Sequence, residues 1–244
     1  MNIDPQHATI ERIRFAAANV ALSPISYASP IRFRQGPIAQ PMEGWRATVK
    51  RAADFTFAAL ILLLHALPMC LIALAIKLES PGPVFFRQQR IGWGNRPFEL
   101  LKFRTMLHHA PDTGRLRQTR QHDPRVTRIG ALLRRTSFDE LPQLLHVLRG
   151  EMSLVGPRPH APGSCAGGTP FEQLSDWYPM RHHVRPGMTG LAQVRGWRGE
   201  TDTSEKLLRR LGSDLEYIEN WSLGLDFLIL ARTVLAVLCQ RNAY

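Results

Sequence analysis

The chain has 244 residues, 44% of them hydrophobic, and a formal net charge of +11. This length excludes two large domains, and the composition excludes disorder throughout. Three cysteines without CxxC or Cys/His spacing exclude a disulfide scaffold and a zinc site. The positive charge indicates an anionic partner, which could be nucleic acid, anionic lipid or a phosphorylated substrate.

Residues 1–45 form a predicted lead-in that is loosely ordered, with one short helix near Thr9 to Val20. Prolines, alanines and arginines are scattered through it without a sustained period. The basic, apolar and cleavage-site regions of a signal peptide are not recognisable in it.

Residues 46–79 contain an uncharged apolar run from Phe55 to Ile76, which is long enough to cross a bilayer core of about 30 Å. Pro68 lies inside the run and predicts a bend or break, because proline removes a backbone donor. Cationic residues at both ends favour a hairpin that returns to the cytoplasmic side. They are Arg46, Lys50 and Arg51 before the run, and Lys77 and Arg87 after it. We predict a re-entrant membrane helix hairpin broken at Pro68; a simple transmembrane helix and a buried soluble helix are the alternatives.

Residues 80–244 predict a small, helix-rich α/β domain. A strand is expected over Phe98–Met106, and a Gly/Pro-rich loop over 156–170. Helices are expected over 128–135, 140–148, 203–220 and 222–240. The helix over 203–220 is amphipathic, and the last helix is strongly apolar, so it suits a position in the membrane interface.

The acidic pair Asp139 and Glu140 permits two interpretations. The structural one is a capping box, with Ser137 as N-cap and Glu140 reaching back to its backbone. Pro142 complicates it, because a proline so close to the start should distort a helix begun at Ser137. The chemical one is a nucleophilic carboxylate, since aspartate can carry a phosphoryl group covalently.

Basic residues around the pair in the sequence favour the chemical interpretation. A carboxylate can approach a pyrophosphate only if cations neutralise the charge, and Mg²⁺ held by Asp139 and Glu140 suits this role. Arg158 stands in the turn Gly156-Pro-Arg-Pro159, and its planar fork could pair with phosphate. A solvated turn arginine is the alternative. The basic residues are Lys102, Arg104, Arg125, Arg128, Arg134, Arg135 and Arg158, and all of them except Arg135 are predicted to bind the phosphates of the substrate.

Seven ordered motifs between about Arg46 and Gln240 resemble the bacterial sugar transferase family, the monotopic polyprenyl-phosphate phosphoglycosyl transferases. The first three are Lys50-Arg51 with Asp54, Ser80-Pro-Gly-Pro-Val-Phe-Phe with Gln88 and Arg90, and Lys102-Phe-Arg-Thr-Met106. The next two are Asp123-Pro-Arg-Val-Thr-Arg128 and Ser137-Phe-Asp-Glu-Leu-Pro-Gln143. The last two are Met152-Ser-Leu-Val-Gly-Pro-Arg-Pro159 and Pro186-Gly-Met-Thr-Gly-Leu-Ala-Gln193.

The resemblance implies a membrane helix broken at Pro68 and a catalytic domain over residues 80–244, on the cytoplasmic face of the bacterial inner membrane. It implies that Asp139 and Glu140 form a catalytic dyad. Asp139 would take a sugar phosphate from a UDP-sugar, release UMP, and pass the phosphosugar to a polyprenyl phosphate lipid. This reaction would begin exopolysaccharide or glycoconjugate synthesis. A homo-oligomer is possible, and nucleic acid is not an expected partner.

Three residues depart from the family's pattern. Leu67 stands before Pro68 where serine is frequent, Asp54 stands one residue farther from that proline than the pattern implies, and His146 stands where asparagine is common. The chain otherwise resembles the short, minimal form of the family. Two rival functions stay open at this point: a membrane-tethered nucleic-acid-binding protein, motivated by the net charge, and a non-catalytic assembly scaffold.

Overall fold

The computed structural model describes residues 42, 44–108, 123–197, 199, 201 and 203–238. The predicted lead-in lies almost wholly outside these residues, and its expected helix near Thr9 to Val20 lies entirely outside them. The described part is rich in helix and contains three small sheets of two strands each. The predicted helix-rich α/β class is therefore confirmed.

The first element is one long helix, α1, over Trp45–Glu79. At about 1.5 Å per residue it is roughly 52 Å long, more than the thickness of a bilayer core. By length and composition it could cross a membrane. Its outer face carries leucines that are each more than half exposed, and a continuous exposed apolar face of this kind fits contact with lipid. They are Leu60, Leu63, Leu64, Leu67, Leu71 and Leu74.

Pro68 lies inside α1, and the helix continues on both sides of it. The predicted division of this segment into two hairpin arms is therefore not confirmed. The re-entrant path stays a prediction, and so does the role of Pro68 in it.

Both ends of α1 are bound to the globular domain. Near the N-terminal end, Lys50 Nζ lies 2.8 Å from Asp226 Oδ2, and the Asp54 carboxylate accepts a hydrogen bond from the backbone N–H of Leu154 at 3.1 Å. At the other end, the Glu79 carboxylate accepts from the backbone N–H of Ile129 at 3.1 Å. Both ends of the apolar helix therefore contact the same globular domain.

An antiparallel hairpin follows α1. Its strands are β1, Phe85–Ile91, and β2, Pro97–Phe103, and a short 3-10 helix over Trp93–Asn95 connects them. The register sets Phe86 opposite Lys102. The expected strand over Phe98–Met106 is confirmed, although it ends three residues earlier.

The rest of the domain is built from short elements and two longer helices. The helices are α2 (Arg128–Thr136), α3 (Leu144–Arg149), α4 (Leu191–Val194), α5 (Ser204–Glu219) and α6 (Leu223–Leu238). The strands are β3 (Ser153–Val155), β4 (Cys165–Ala166), β5 (Thr169–Pro170) and β6 (Gly187–Thr189). Further 3-10 helices are Phe138–Gln143, Phe171–Gln173 and Tyr178–His183.

The helices predicted over 128–135, 203–220 and 222–240 are confirmed by α2, α5 and α6. The helix predicted over 140–148 is confirmed in part: the segment is helical throughout, but a 3-10 helix that contains Pro142 precedes α3. Proline lacks the N–H that an α-helix would use at this position, which explains the division. The predicted loop over 156–170 also contains a small hairpin, β4 with β5.

Two hydrophobic clusters form the core, and α1 packs on both. Ala58 of α1 belongs to the larger cluster, with Leu144, Met152 and Tyr178 among its members. Near its C-terminal end, Ile76 packs with Phe103 and Leu133 in the smaller one. The apolar helix therefore has a domain-facing side along its length, opposite the exposed leucines.

Strands β3 and β6 pair in parallel and fix the turn that follows β3. The N–H of Gly156 donates to the carbonyl of Thr189, and the N–H of Gly187 donates to the carbonyl of Pro157, both at 2.9 Å. A Cβ on Gly187 would lie 2.1 Å from the nitrogen of Gly156, so only glycine fits there. This close backbone contact holds the turn that carries Arg158.

Candidate active site

The Asp139–Glu140 pair lies on a sharp turn between two helices. Helix α2 ends at Thr136, its C-cap residue Ser137 has a left-handed φ of 59°, and the 3-10 helix Phe138–Gln143 starts directly after it. The Ser137 side chain makes no capping hydrogen bond to this helix, so the capping box is not formed. A non-glycine residue with positive φ is uncommon and often marks a functional turn.

Glu140 is clamped between two cations from distant parts of the chain. Its Oε1 accepts from Lys102 Nζ at 2.9 Å, and its Oε2 accepts from Arg158 Nη1 at 3.1 Å. Arg158 Nη2 also donates to Oε1. Burial alone would raise the pKa of Glu140, but the charges of Arg158 and Lys102 outweigh it and hold the pKa well below its usual range. Glu140 is therefore ionised and paired.

Asp139 is held differently from its neighbour. Among the described residues, none donates a hydrogen bond to its carboxylate. Burial, followed by the negative charge of Glu140, raises the pKa of Asp139 to about 6, although Lys102, Arg158 and Arg134 act in the opposite direction. At neutral pH this carboxylate is ionised, more basic than an ordinary aspartate and unblocked by a partner. These are the properties of a nucleophile or a metal ligand.

A buried ion pair supports Arg158 from behind. Arg181 Nη2 donates to the backbone carbonyl of Arg158 at 2.8 Å and lies 2.7 Å from Asp214 Oδ2. Arg181 also donates to the hydroxyl of Tyr178 at 2.8 Å. Both members of the ion pair are almost fully buried, so the backbone of Arg158 is held by a rigid neighbour.

Two further arginines act on the dyad. Arg134 Nε donates to Thr105 Oγ1 at 2.8 Å, and its charge acts on Asp139. Arg90 on β1 acts on Arg158 and Glu140, and burial together with Arg158 lowers the pKa of Arg90 to about 10. Sequence reasoning placed Arg90 in a motif but not in the site, because only the pairing of β1 with β2 brings it there.

Three cations that were predicted to bind phosphate have other positions in the structure. Arg104 is buried and donates to the carbonyls of Ser80 at 2.8 Å and Pro81 at 2.6 Å, so it fixes the C-terminal end of α1. Arg125 forms a two-point pair with Asp123, at 2.9 and 2.7 Å. Arg128 is exposed at the start of α2. The contacts and charges of the described residues link Lys102, Arg134 and Arg158 directly to the dyad. Phosphate binding by Arg104, Arg125 and Arg128 stays a prediction.

A comparison over most of the chain decides the family. The model of the family described as bacterial sugar transferase matches residues 45–240. The chain belongs to the bacterial sugar transferase family.

Relatives of this bacterial sugar transferase support the assignment. The chain is 51% identical over 205 residues to an undecaprenyl-phosphate glucose phosphotransferase of Komagataeibacter xylinus, covering 84% of this chain and 38% of that protein. It is 50% identical over 204 residues to the UDP-glucose:undecaprenyl-phosphate glucose-1-phosphate transferase of Escherichia coli (strain K12), covering 84% and 43%. The chain thus spans less than half the length of these two proteins.

A third relative has a similar length. The exopolysaccharide production protein PSS of Rhizobium leguminosarum is 50% identical over 197 residues, which covers 80% of this chain and 98% of that protein. The family match over residues 45–240 contains all the residues of the dyad cluster, which we define as Asp139, Glu140, Lys102, Arg134 and Arg158.

His146 is a feature of this bacterial sugar transferase that the sequence left unexplained. Its Nε2 accepts from the backbone N–H of Leu101 at 3.0 Å, and its Nδ1 contacts the carboxylate of Glu151. Because Leu101 directly precedes Lys102 on β2, the imidazole fixes the strand that presents Lys102 to Glu140. No signal in the sequence linked these two positions.

The described residues of the transferase can hold magnesium only with help from a ligand. No group of three or more His, Cys, Asp and Glu among them could hold a metal ion. Asp139 offers a free carboxylate, whereas both oxygens of Glu140 are already bound by cations. Since Mg²⁺ is often held by one or two carboxylates plus substrate phosphates, the dyad fits an ion shared with a phosphorylated substrate.

Proposed function

We propose that this bacterial sugar transferase moves a sugar-1-phosphate from a UDP-sugar to polyprenyl phosphate and releases UMP. The observation that carries the proposal is the carboxylate of Asp139, which has a raised pKa and no hydrogen-bond donor among the described residues, beside a Glu140 whose two oxygens are both paired. The names of two relatives specify glucose and undecaprenyl phosphate, so UDP-glucose is the favoured donor. The name of the third points to exopolysaccharide synthesis, of which this would be the first membrane step.

In the first half-reaction, a carboxylate oxygen of Asp139 attacks the phosphorus that carries the sugar. An acyl phosphate bond forms, the bond to the bridging oxygen breaks, and UMP leaves with the electron pair. Lys102, Arg134 and Arg158 lie where they can neutralise the pyrophosphate, and Arg90 adds positive charge near Glu140. Magnesium bound by Asp139 and the substrate phosphates would supply further neutralisation.

In the second half-reaction, an oxygen of polyprenyl phosphate attacks the same phosphorus. The new bond completes a lipid diphosphate sugar, and the broken bond releases Asp139 as a carboxylate. Glu140 does not compete as nucleophile, because Lys102 and Arg158 occupy both of its oxygens. Its role is to fix these two cations beside Asp139.

We infer that the enzyme sits on the cytoplasmic face of the bacterial inner membrane. Exposed leucines of α1 give it an apolar face for lipid. Because Lys50 near one end and Glu79 at the other both bind the globular domain, a path that enters and leaves on one side fits better than a crossing. This arrangement would bring the dyad to a lipid substrate at the membrane surface.

The test is an assay of each half-reaction on the full chain in detergent. With UDP-glucose, Mg²⁺ and no acceptor, intact-mass analysis should show one phosphosugar adduct and one equivalent of UMP. Adding polyprenyl phosphate should discharge the adduct. A panel of UDP-sugars identifies the donor, and turnover without any adduct on Asp139 would refute the covalent route.

A further inference from the structure

His65 is an unusual side chain for its position in α1. The apolar run from Phe55 to Ile76 carries no formal charge, and His65 and Cys70 are its only titratable residues. An ionisable group at membrane depth is costly, so it usually faces protein or a polar pathway and has a function there. His65 is half-buried, whereas Leu63 and Leu64 beside it are 77% and 75% exposed.

One ring nitrogen of His65 makes a hydrogen bond to a described residue, and the other does not. Nδ1 lies 2.9 Å from the backbone carbonyl of Ile61. A carbonyl can only accept, so Nδ1 must carry the hydrogen, and Nε2 of the neutral ring keeps its lone pair. Among the described residues, none makes a hydrogen bond to Nε2.

The ring of His65 contacts Phe138, the residue that precedes the dyad. It meets the ring of Phe138 edge-on, with 6.1 Å between centroids and 80° between planes, and Phe138 directly precedes Asp139. Lys102 and Arg158 reach the dyad from the globular domain, whereas His65 reaches its neighbourhood from the membrane helix. A lipid acceptor would arrive on the side of that helix.

We propose that His65 binds the phosphate of the polyprenyl acceptor through Nε2 and positions it for attack on the Asp139 adduct. This inference rests on the proposed function and extends it to the second substrate. A ring nitrogen of imidazole and the oxygens of a phosphate monoester can each donate or accept a hydrogen bond, so Nε2 can bond to the acceptor phosphate whichever partner carries the proton.

The experiment measures the two half-reactions separately in the variant His65→Phe. This variant keeps an aromatic ring against Phe138 but removes both ring nitrogens. Adduct formation from UDP-glucose without acceptor should stay within about twofold of wild type, since no donor contact is lost. Transfer to polyprenyl phosphate should need about ten to a hundred times more acceptor, because a hydrogen bond to a charged group is lost. His65→Gln, whose amide can bond to phosphate, should recover part of this loss.

Leu64→Ala is the matched control, because Leu64 is the adjacent residue on the lipid-facing side. Its acceptor KM should equal that of wild type. Phosphatidylglycerol, a phosphodiester without a second proton, should not compete with the acceptor in wild type; equal competition would show a general headgroup site and overturn the proposal.

Two further outcomes would also overturn the assignment of His65. An unchanged acceptor KM in His65→Phe would remove any role in acceptor binding. An equal loss of adduct formation and transfer would show that His65 only supports the helix. By contrast, a wild-type enzyme that forms no adduct would refute the proposed function itself, whatever His65 does.

Discussion

Two clusters of the molecule bury charged groups: the dyad cluster and a second one, the anchor cluster, at the N-terminal end of α1. They differ in how many of their buried carboxylates have hydrogen-bond partners. The anchor cluster consists of Lys50, Asp54, Tyr217, Trp221 and Asp226. Asp226 accepts from Lys50 and the Tyr217 hydroxyl at 2.8 Å and from Trp221 Nε1 at 3.1 Å. Asp54 bonds the backbone of Leu154 and lies 3.5 Å from Lys50. Both carboxylates are paired.

In the dyad cluster only one of the two carboxylates is paired. Glu140 takes the hydrogen bonds of Lys102 and Arg158, while Asp139 takes none from the described residues. A complete set of partners fixes the geometry of a buried charge, and an incomplete set leaves it reactive at a cost in stability. The difference indicates a structural role for the anchor cluster and supports the catalytic role that we propose for the dyad cluster.

The largest effect is expected from Asp139→Asn. Turnover should fall by at least about a thousandfold, because an amide is a far poorer nucleophile than a carboxylate. The melting temperature should stay the same or rise, since the raised pKa means that ionised Asp139 is disfavoured in the folded protein at neutral pH. UMP release and thermal unfolding in detergent measure the two effects. Near-normal activity would refute the role of Asp139.

Loss of a charge from the anchor cluster should lower the stability of the fold, whereas loss of the Asp139 charge should not. Lys50→Met should destabilise the fold by about 3–5 kcal/mol, because it leaves buried carboxylates without their cation. Arg87→Met is the matched control, since its ion pair with Glu99 is largely exposed and should be worth less than about 1 kcal/mol. Equal unfolding midpoints for the two variants would show that the anchor cluster does not hold α1 in place.

A smaller effect is expected when the clamp on Glu140 is weakened. Arg158→Ala should lower kcat/KM for the UDP-sugar by about ten- to a hundredfold, and Arg158→Lys by less, because lysine keeps the charge but loses the two-pronged contact. Arg128→Ala, at an exposed position, should change it by less than about twofold. Indistinguishable rates in all three variants would remove Arg158 from the site.

The mildest perturbation is a change of pH. The pKa of Asp139 is raised to about 6, so its nucleophilic form is present above that pH and is lost as the pH falls through it. The rate of adduct formation should therefore drop about tenfold per pH unit below about pH 6. Glu140 adds no step in this range, since its pKa is held well below normal. A flat profile from about pH 5 to pH 8, with the fold intact by circular dichroism, would contradict this assignment.

Local features of this protein were determined by the sequence alone. The apolar run around Pro68, the helices over 128–135, 203–220 and 222–240, and the adjacency of Asp139 and Glu140 depend on periodicity and on neighbours in the chain. The motif order gave the family for the same reason, because motifs are local patterns. Pro142 also predicted a distorted helix, which the structure has as the 3-10 helix before α3.

Contacts through space were decided only by the tertiary structure. The sequence could not distinguish the cations Lys102, Arg104 and Arg158. In the folded protein, Arg104 binds the C-terminal end of α1, whereas the other two bind Glu140. The same holds for His65 and Phe138, which are 73 positions apart. Electrostatic pairing depends on distance and burial, and for residues far apart in the chain the packing of elements sets both.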